Sequence, residues 1–201
     1  MDRKFALYTV GLAVTISLAG CLQDDPMPVA GTRISVADFS DQPSRSRVIF
    51  SSDDAAHLSV PAAQSLGDPT MHGGSVTLSN PQTGEFDAYN LPAANWTALP
   101  EPEQGYRYVD VMHEDGPCEY VSVTANTRLV AICRGAEVQF SLNAPTQGAI
   151  AIDVILGSFG GTRYCAVFGG HVMRDAPSSP GHPGSFLAMN APAPTACDLV
   201  S

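Results

Sequence analysis

The chain has 201 residues, with 20 acidic and 10 basic side chains and a formal net charge of −10. A negative charge of this size repels phosphate backbones and anionic headgroups, which argues against nucleic acid and against direct polybasic membrane binding. Lys4 is the only lysine. This excludes a Walker-type phosphate lysine in the mature protein, and also a Schiff-base lysine.

Residues 1–20 have the pattern of an export signal. A basic head precedes an apolar run from Phe5 to Ala19, which is shorter than the roughly 20 apolar residues of a spanning helix. The run ends in Leu18-Ala19-Gly20-Cys21, which resembles the lipobox of bacterial lipoproteins. In that family the signal is cleaved before the cysteine and the thiol takes a diacylglycerol. The resemblance implies that Cys21 is lipidated and that its new amino terminus is usually acylated as well.

Two or more acyl chains would hold the mature chain stably on a membrane, where one chain is only marginal. Leu22 follows the cysteine in place of an aspartate, and by the same resemblance this favours the outer membrane. An ordinary secretory signal with a chance cysteine at its end is the alternative. Cleavage removes two basic residues and one acidic residue, which leaves eight arginines, nineteen acidic residues and a net charge of −11.

The mature chain has four further cysteines: Cys118, Cys133, Cys165 and Cys197. An even number in an exported protein predicts two disulfides, because the compartment is oxidising. The spacing fits neither a CxxC metal motif nor a redox motif. Four cysteines allow three pairings.

One pairing is favoured by a predicted hairpin. Two β-rich runs, 118–124 and 127–133, flank Ala125-Asn126. A hairpin centred there pairs residues whose numbers sum to 251 and sets Cys118 opposite Cys133, within reach of a disulfide. The second bridge then joins Cys165 to Cys197 by elimination.

Residues 21–30 contain two prolines and two aspartates without periodicity, which predicts a lipidated tether that lifts the domain off the bilayer. Residues 31–201 are predicted to form one all-β domain, an antiparallel sandwich or barrel-like fold tied by disulfides, because short apolar runs alternate with turn residues. The clearest predicted strands are 137–142, with Val138, Phe140 and Leu142 on one face, and 150–156. Weaker candidates are 48–50, 75–78, 106–111, 163–168 and 186–189.

Five segments also resemble a module of secreted proteins from predatory soil bacteria, over about residues 44 to 199. They begin at Asp68 (DPTMHGG), Leu91 (LPAANW), Gly105 (GYRY), Arg163 (RYCAVFGG) and Ala191 (APAPTAC). The resemblance implies a single β-rich domain. It implies no activity and no catalytic residue.

No local motif indicates a catalytic or metal site, and none indicates a cofactor. The five histidines, His57, His72, His113, His171 and His182, have no ligand spacing, and His113-Glu114-Asp115 is predicted to be a turn. Gly157-Ser158-Phe159-Gly160-Gly161 is nearest to a GxSxG nucleophile motif, but its glycines favour a hairpin turn. Trp96 is assigned to the core rather than to an exposed ligand platform. Tyr106 and Tyr108, on one strand face, are assigned to packing.

The sequence therefore favours a membrane-anchored, non-catalytic lipoprotein of the cell envelope that binds or scaffolds a protein or glycan ligand. The alternative is an extracytoplasmic hydrolase with a dispersed Ser/His/Asp or carboxylate site. A cleft in which histidine and carboxylate side chains converge would favour the second.

Overall fold

A computed structural model describes residues 25–143, 145–158 and 160–197. The predicted signal peptide and Cys21 lie outside the described residues. A single-turn helix, α1 (Pro69–His72), and 3-10 turns at Pro43–Arg45 and Ala93–Asn95 interrupt the strands. The strands are β1 (Asp25–Pro28), β2 (Gly31–Asp38), β3 (Arg47–Ser52), β4 (Gly74–Ser79), β5 (Phe86–Leu91), β6 (Trp96–Ala98), β7 (Gly105–Val109), β8 (Cys118–Thr124), β9 (Arg128–Arg134), β10 (Ile150–Leu156), β11 (Thr162–Phe168), β12 (Val172–Ala176) and β13 (Gly184–Ala191).

The strands form two sheets, as predicted for an all-β sandwich. The smaller sheet has the order β1-β11-β10-β4-β5, and the larger one has the order β12-β13-β2-β3-β9-β8-β7-β6. In the larger sheet, β3 and β9 alternate buried and more exposed residues, because one face packs on the core and the other meets water. Phe50 and Phe168 make an edge-to-face contact between the sheets, with ring centroids 6.0 Å apart.

The predicted tether over residues 21–30 is wrong for residues 25–30. Residues 25–28 form β1, which pairs in parallel with β11 from Asp25↔Thr162 to Pro28↔Cys165. Val29 is fully buried, and its N–H donates to the Cys165 carbonyl at 2.9 Å. Prolines are compatible with a strand at a sheet edge, so the proline pattern that indicated a tether also fits β1. Residues 25–30 therefore belong to the folded domain.

Both predicted disulfides are present, Cys118–Cys133 and Cys165–Cys197. The predicted hairpin register is correct at the cysteines but wrong for the rest of the hairpin, where Thr124 pairs with Arg128 and Tyr120 pairs with Ile132. The loop has three residues rather than two, and Asn126 adopts a left-handed conformation with φ 52°, as three-residue hairpin loops commonly require. A bulge at Glu119 restores Cys118 opposite Cys133. The two disulfides indicate an extracytoplasmic protein.

The predicted strand 137–142 has the expected burial but is not a strand. Val138, Phe140 and Leu142 are buried, while Gln139 is exposed. Carboxylates rather than a neighbouring strand accept three of its backbone N–H groups: Asp87 accepts from Gln139 at 2.8 Å, Glu85 from Ser141 at 3.0 Å and Asp38 from Leu142 at 3.0 Å. The alternation of apolar and polar residues therefore marks an extended segment that packs on the core. Periodicity alone cannot distinguish such a segment from a strand.

The remaining predicted strands are all found, as β3, β4, β7, β10, β11 and β13. The predicted run 106–111 is β7, which ends at Val109. Within the described parts of the chain, no helix is long and apolar enough to cross a membrane.

Candidate binding face

The outer face of the larger sheet is cationic, although the chain as a whole is acidic. Six of the eight mature arginines occupy exposed positions on the strands of this sheet. Glu119, in the β8 bulge, is the one acidic residue at an outward strand position of this sheet as described. We name this surface the arginine face; its arginines are Arg33, Arg47, Arg107, Arg128, Arg134 and Arg174.

Four of these guanidinium groups form no ion pair with any residue that the structure describes. Arg128 pairs with Asp53 at 3.2 Å and Arg134 pairs with Glu119 at 3.3 Å. In the described chain, no salt bridge is formed by the other four arginines of the face, Arg33, Arg47, Arg107 and Arg174. Acidic residues outnumber arginines in the mature chain by nineteen to eight, so unpaired arginines here do not reflect a shortage of carboxylates.

An apolar row crosses the arginine face perpendicular to the strands. The ladder aligns one residue from each of six neighbouring strands, and five of the six are apolar or aromatic: Leu187, Ser35, Ile49, Ile132, Tyr120 and Val109. Most of them are half-buried, and Val109 is 42% exposed. With Arg174 beside Leu187, the row spans seven strands, roughly 29 Å at about 4.8 Å per strand.

Arginines flank this apolar row on both sides. Arg47 and Arg134 lie directly opposite each other in the neighbouring row, while Arg33 and Arg107 lie in the row on the other side. A groove of ≈ 350 Å³ lies on the arginine face where β2, β3 and β9 are neighbours. It is lined by Arg33, Ser35, Ser44, Arg45, Ser46, Arg47, Ile49 and Arg134. Directly opposed like charges destabilise a strand pair. Glu119 pairs with Arg134, whereas no carboxylate among the described residues forms a salt bridge with Arg47.

Many carboxylates are engaged in holding loops. Asp68 accepts the N–H groups of Gln64 and Thr70 at 2.7 and 2.9 Å, and Asp110 accepts those of Glu114 and Asp115 at 3.1 and 2.9 Å. Burial raises the pKa of both carboxyls, but these hydrogen bonds and nearby histidines outweigh it, so both pKa values lie below their usual range. These acids stabilise loop conformations, as the predicted turn at His113–Asp115 illustrates.

The histidines do not converge. In the described chain no group of three or more His, Cys, Asp or Glu side chains could hold a metal ion. His57 is paired with Asp54, its Nδ1 lying 2.9 Å from the carboxylate. Burial raises the pKa of Asp54, but hydrogen bonds from Ala30 and His57 lower it below its usual range.

The Asp54–His57 pair is the nearest approach to hydrolase chemistry. Within the described residues, no serine hydroxyl is hydrogen-bonded to the His57 ring. A second pair, the buried Asp153 with the half-buried Arg163 at 2.9 Å, lies on the outer side of the smaller sheet. Burial raises the pKa of Asp153, although Arg163 opposes that rise. Neither arrangement places an acid, a base and a nucleophile together.

The aromatic residues singled out in the sequence are in the core. Trp96 is 4% exposed, stacks edge-on against Tyr108 with centroids 5.5 Å apart, and donates its indole N–H to the Leu91 carbonyl. Tyr106 is also buried, and its hydroxyl donates to the Pro61 carbonyl. The core assignments of all three residues are confirmed.

A second groove, of ≈ 250 Å³, lies beside Phe39 and Arg45, where the Arg45 guanidinium stacks on the Phe39 ring.

Sequence reasoning missed the arginine face. The available signal was local: arginines alternate with apolar residues in the runs that became β2, β3, β7 and β9. Their assembly into one surface depends on strand order, which sequence spacing does not reveal.

Comparison with protein-family models, with curated proteins and with solved structures gave no match to this chain.

Proposed function

We propose that this chain is a lipid-anchored, non-catalytic binding protein of the cell envelope, and that the arginine face docks an acidic protein partner. The observation behind the proposal is the apolar row flanked on both sides by unpaired arginines. Arginine and aromatic residues are enriched at protein interfaces, where apolar contacts lie at the centre and charges at the rim. An extended acidic segment with apolar residues matches this pattern.

A protein partner fits this surface better than a glycan does. Sugar-binding surfaces commonly offer exposed aromatic rings, whereas Trp96 is buried and Tyr120 is the one aromatic residue in the apolar row. Arginine binds carboxylates through two parallel hydrogen bonds. Aspartate and glutamate side chains on the partner would therefore pair with Arg33, Arg47 and Arg107 while its apolar side chains cover Ile49 and Ile132.

Binding of designed peptides to the mature domain tests the docking surface. A peptide of alternating glutamate and leucine should bind more tightly than one of glutamate and serine, and its affinity should fall with salt. Arg33→Gln and Arg47→Gln should each weaken binding about 2–5-fold, the usual range for an exposed ion pair. Arg128→Gln, whose guanidinium already pairs with Asp53, should have a smaller effect.

The apolar contribution has its own control. Ile49→Thr should weaken binding of the glutamate–leucine peptide, while Phe86→Ser, at an exposed site of the smaller sheet, should not. Equal binding of both peptides would remove the apolar row from the proposal. Tighter binding of heparin oligosaccharides through the same arginines would indicate a glycan instead. A concentration-dependent dimer lost with Arg47→Gln would indicate a second copy of this chain, and no binding by any probe would overturn the proposal.

The proposed anchor is tested separately at Cys21. Leu22, the residue after it, supports the proposal that the protein is sorted to the outer membrane. Cys21→Ser should leave unprocessed or mislocalised precursor, without an acyl-modified N-terminal peptide in mass spectra. Cys21 is the residue predicted to accept the lipid, so processing should depend on it. Efficient maturation of the variant into a soluble periplasmic protein would contradict the anchor.

A further inference from the structure

The start of β1 fixes which end of the domain lies near residue 21. Asp25 is the first residue of β1 and pairs with Thr162, the first residue of β11. Three residues, 22–24, separate Asp25 from Cys21. A fully extended chain spans at most about 3.6 Å per residue, so the two Cα atoms lie within about 14 Å of each other. A domain of this size cannot stand clear of its attachment point on so short a link.

Two loops, the one that follows β10 and the one that contains α1, lie near Thr162, the residue that pairs with the start of β1. The Ser158 N–H, in the turn after β10, donates to the Leu66 carbonyl at 3.1 Å, and the Gly157 N–H donates to the Gly73 carbonyl at 2.8 Å. Gly67 packs beside Thr162, since a Cβ on this glycine would lie 3.4 Å from the threonine Oγ1. Residues 66–73, which include α1, therefore sit at the same end of the smaller sheet as Asp25.

This end of the domain exposes apolar side chains and few charges. Leu66 is 44% exposed and Met71 is 56% exposed. Residues 58–67 and 154–162 contain no acidic or basic residue, although the mature chain has a net charge of −11. Two acids are placed at this end: Asp25, the first residue of β1, and Asp68, which is buried and hydrogen-bonded.

We infer that the end of the domain formed by residues 66–73, together with Gly157 and Ser158, contacts the lipid bilayer, with Leu66 and Met71 at the level of the headgroups. The inference rests on the proposed lipid at Cys21. Burying exposed apolar side chains in the interface is favourable, and the short link holds them at the surface. The contact adds to the acyl chains and fixes the orientation of the domain.

Tryptophan scanning of the intact lipidated protein tests this contact. The parent protein and single variants would be purified from membranes and reconstituted into vesicles of phosphatidylcholine with or without bromine on the acyl chains. Leu66→Trp and Met71→Trp should each add fluorescence that brominated vesicles quench. Two controls are Phe86→Trp, at the opposite end of the smaller sheet, and Met173→Trp, on the edge strand β12 of the larger sheet. Both are exposed sites and should not be quenched.

Flotation of the same vesicles separates failure of the contact from failure of the anchor. Protein that floats with the vesicles, without quenching at residue 66 or 71, would overturn the contact and leave the anchor intact. Quenching at residue 86 or 173 equal to that at 66 would overturn the proposed orientation. Protein that lacks lipid by mass spectrometry and does not float would overturn both. Trp96, which is 4% exposed, contributes a constant background fluorescence, and the spectrum of the parent protein gives its size.

Discussion

Arg47 on β3 lies directly opposite Arg134 on β9 in the antiparallel ladder of the larger sheet. Both side chains are exposed on the outer face, and Glu119 pairs with Arg134 but not with Arg47. Opposed like charges contribute unfavourably to a strand pair.

Replacing Arg47 should stabilise the free protein. Arg47→Thr removes the opposed charge and introduces a residue that favours strands, so the free energy of unfolding should rise by roughly 0.2–1 kcal/mol at low salt. The gain should shrink at high salt, where the repulsion is screened. Urea unfolding at two ionic strengths measures it. A loss of stability at low salt would show that Arg47 contributes favourable contacts in the free protein.

Shortening Val29 distinguishes a folded β1 segment from a tether. Val29 is fully buried, so Val29→Ala should lower the free energy of unfolding by about 1.5–3 kcal/mol. Val111→Ala removes the same atoms from a side chain that is 68% exposed and should change stability little. If the two variants unfold at the same urea concentration, residues 25–30 do not pack as described.

Asp68 should contribute to acid sensitivity. Its pKa lies below the unfolded value of 3.8, so its contribution is complete above that value and is lost as pH falls through the lower folded-state pKa. Asp68→Asn places an amide N–H₂ where one of the carboxylate oxygens accepts a backbone N–H, which should cost about 1–3 kcal/mol at neutral pH. The variant should also show a shallower loss of stability below pH 4. A parallel acid dependence in the two proteins would contradict this role.

The two disulfides should differ in what they stabilise. In the chain-entropy model each closure contributes roughly 3–4 kcal/mol. Cys118→Ala with Cys133→Ala should cost less, because the β8–β9 hairpin is partly ordered in the unfolded chain. Cys165→Ala with Cys197→Ala should loosen mainly the C-terminal segment, seen as faster amide exchange after residue 191. Peptide mapping without reduction checks the pairing, and a peptide linking Cys133 to Cys165 would refute it.

The sequence predicted what depends on local pattern. The all-β fold, the core positions of Trp96 and Tyr108, and both disulfides follow from alternation, turn residues and cysteine number. The hairpin shows the limit of such reasoning. The left-handed residue Asn126 lengthens the loop by one and shifts the register, and the Glu119 bulge then restores the cysteine pair. The longer loop and the bulge shift the register in opposite directions. The expected disulfide therefore forms although the predicted register is wrong for the residues between the loop and the bulge.

The candidate site could not be predicted in this way. Ile49 and Ile132 are neighbours only because β3 pairs with β9, and Val109 joins their row through two further strands. A row that crosses strands has no period along the chain. The segment 137–142 failed for a related reason: its N–H groups bond to carboxylates that are distant in sequence, such as Asp38.

The pairing of β1 with β11 has a mechanical consequence for the anchored protein proposed above. Tension between the membrane and a partner held on the arginine face would enter the domain at Asp25 and pass along β1, loading its hydrogen bonds to β11 together rather than one at a time. Pro28, at the far end of β1, lies opposite Cys165, which is bonded covalently to Cys197. The strand that takes up the load from β1 is thereby tied covalently to the C-terminal segment, so the load reaching β11 is shared with residues near Cys197.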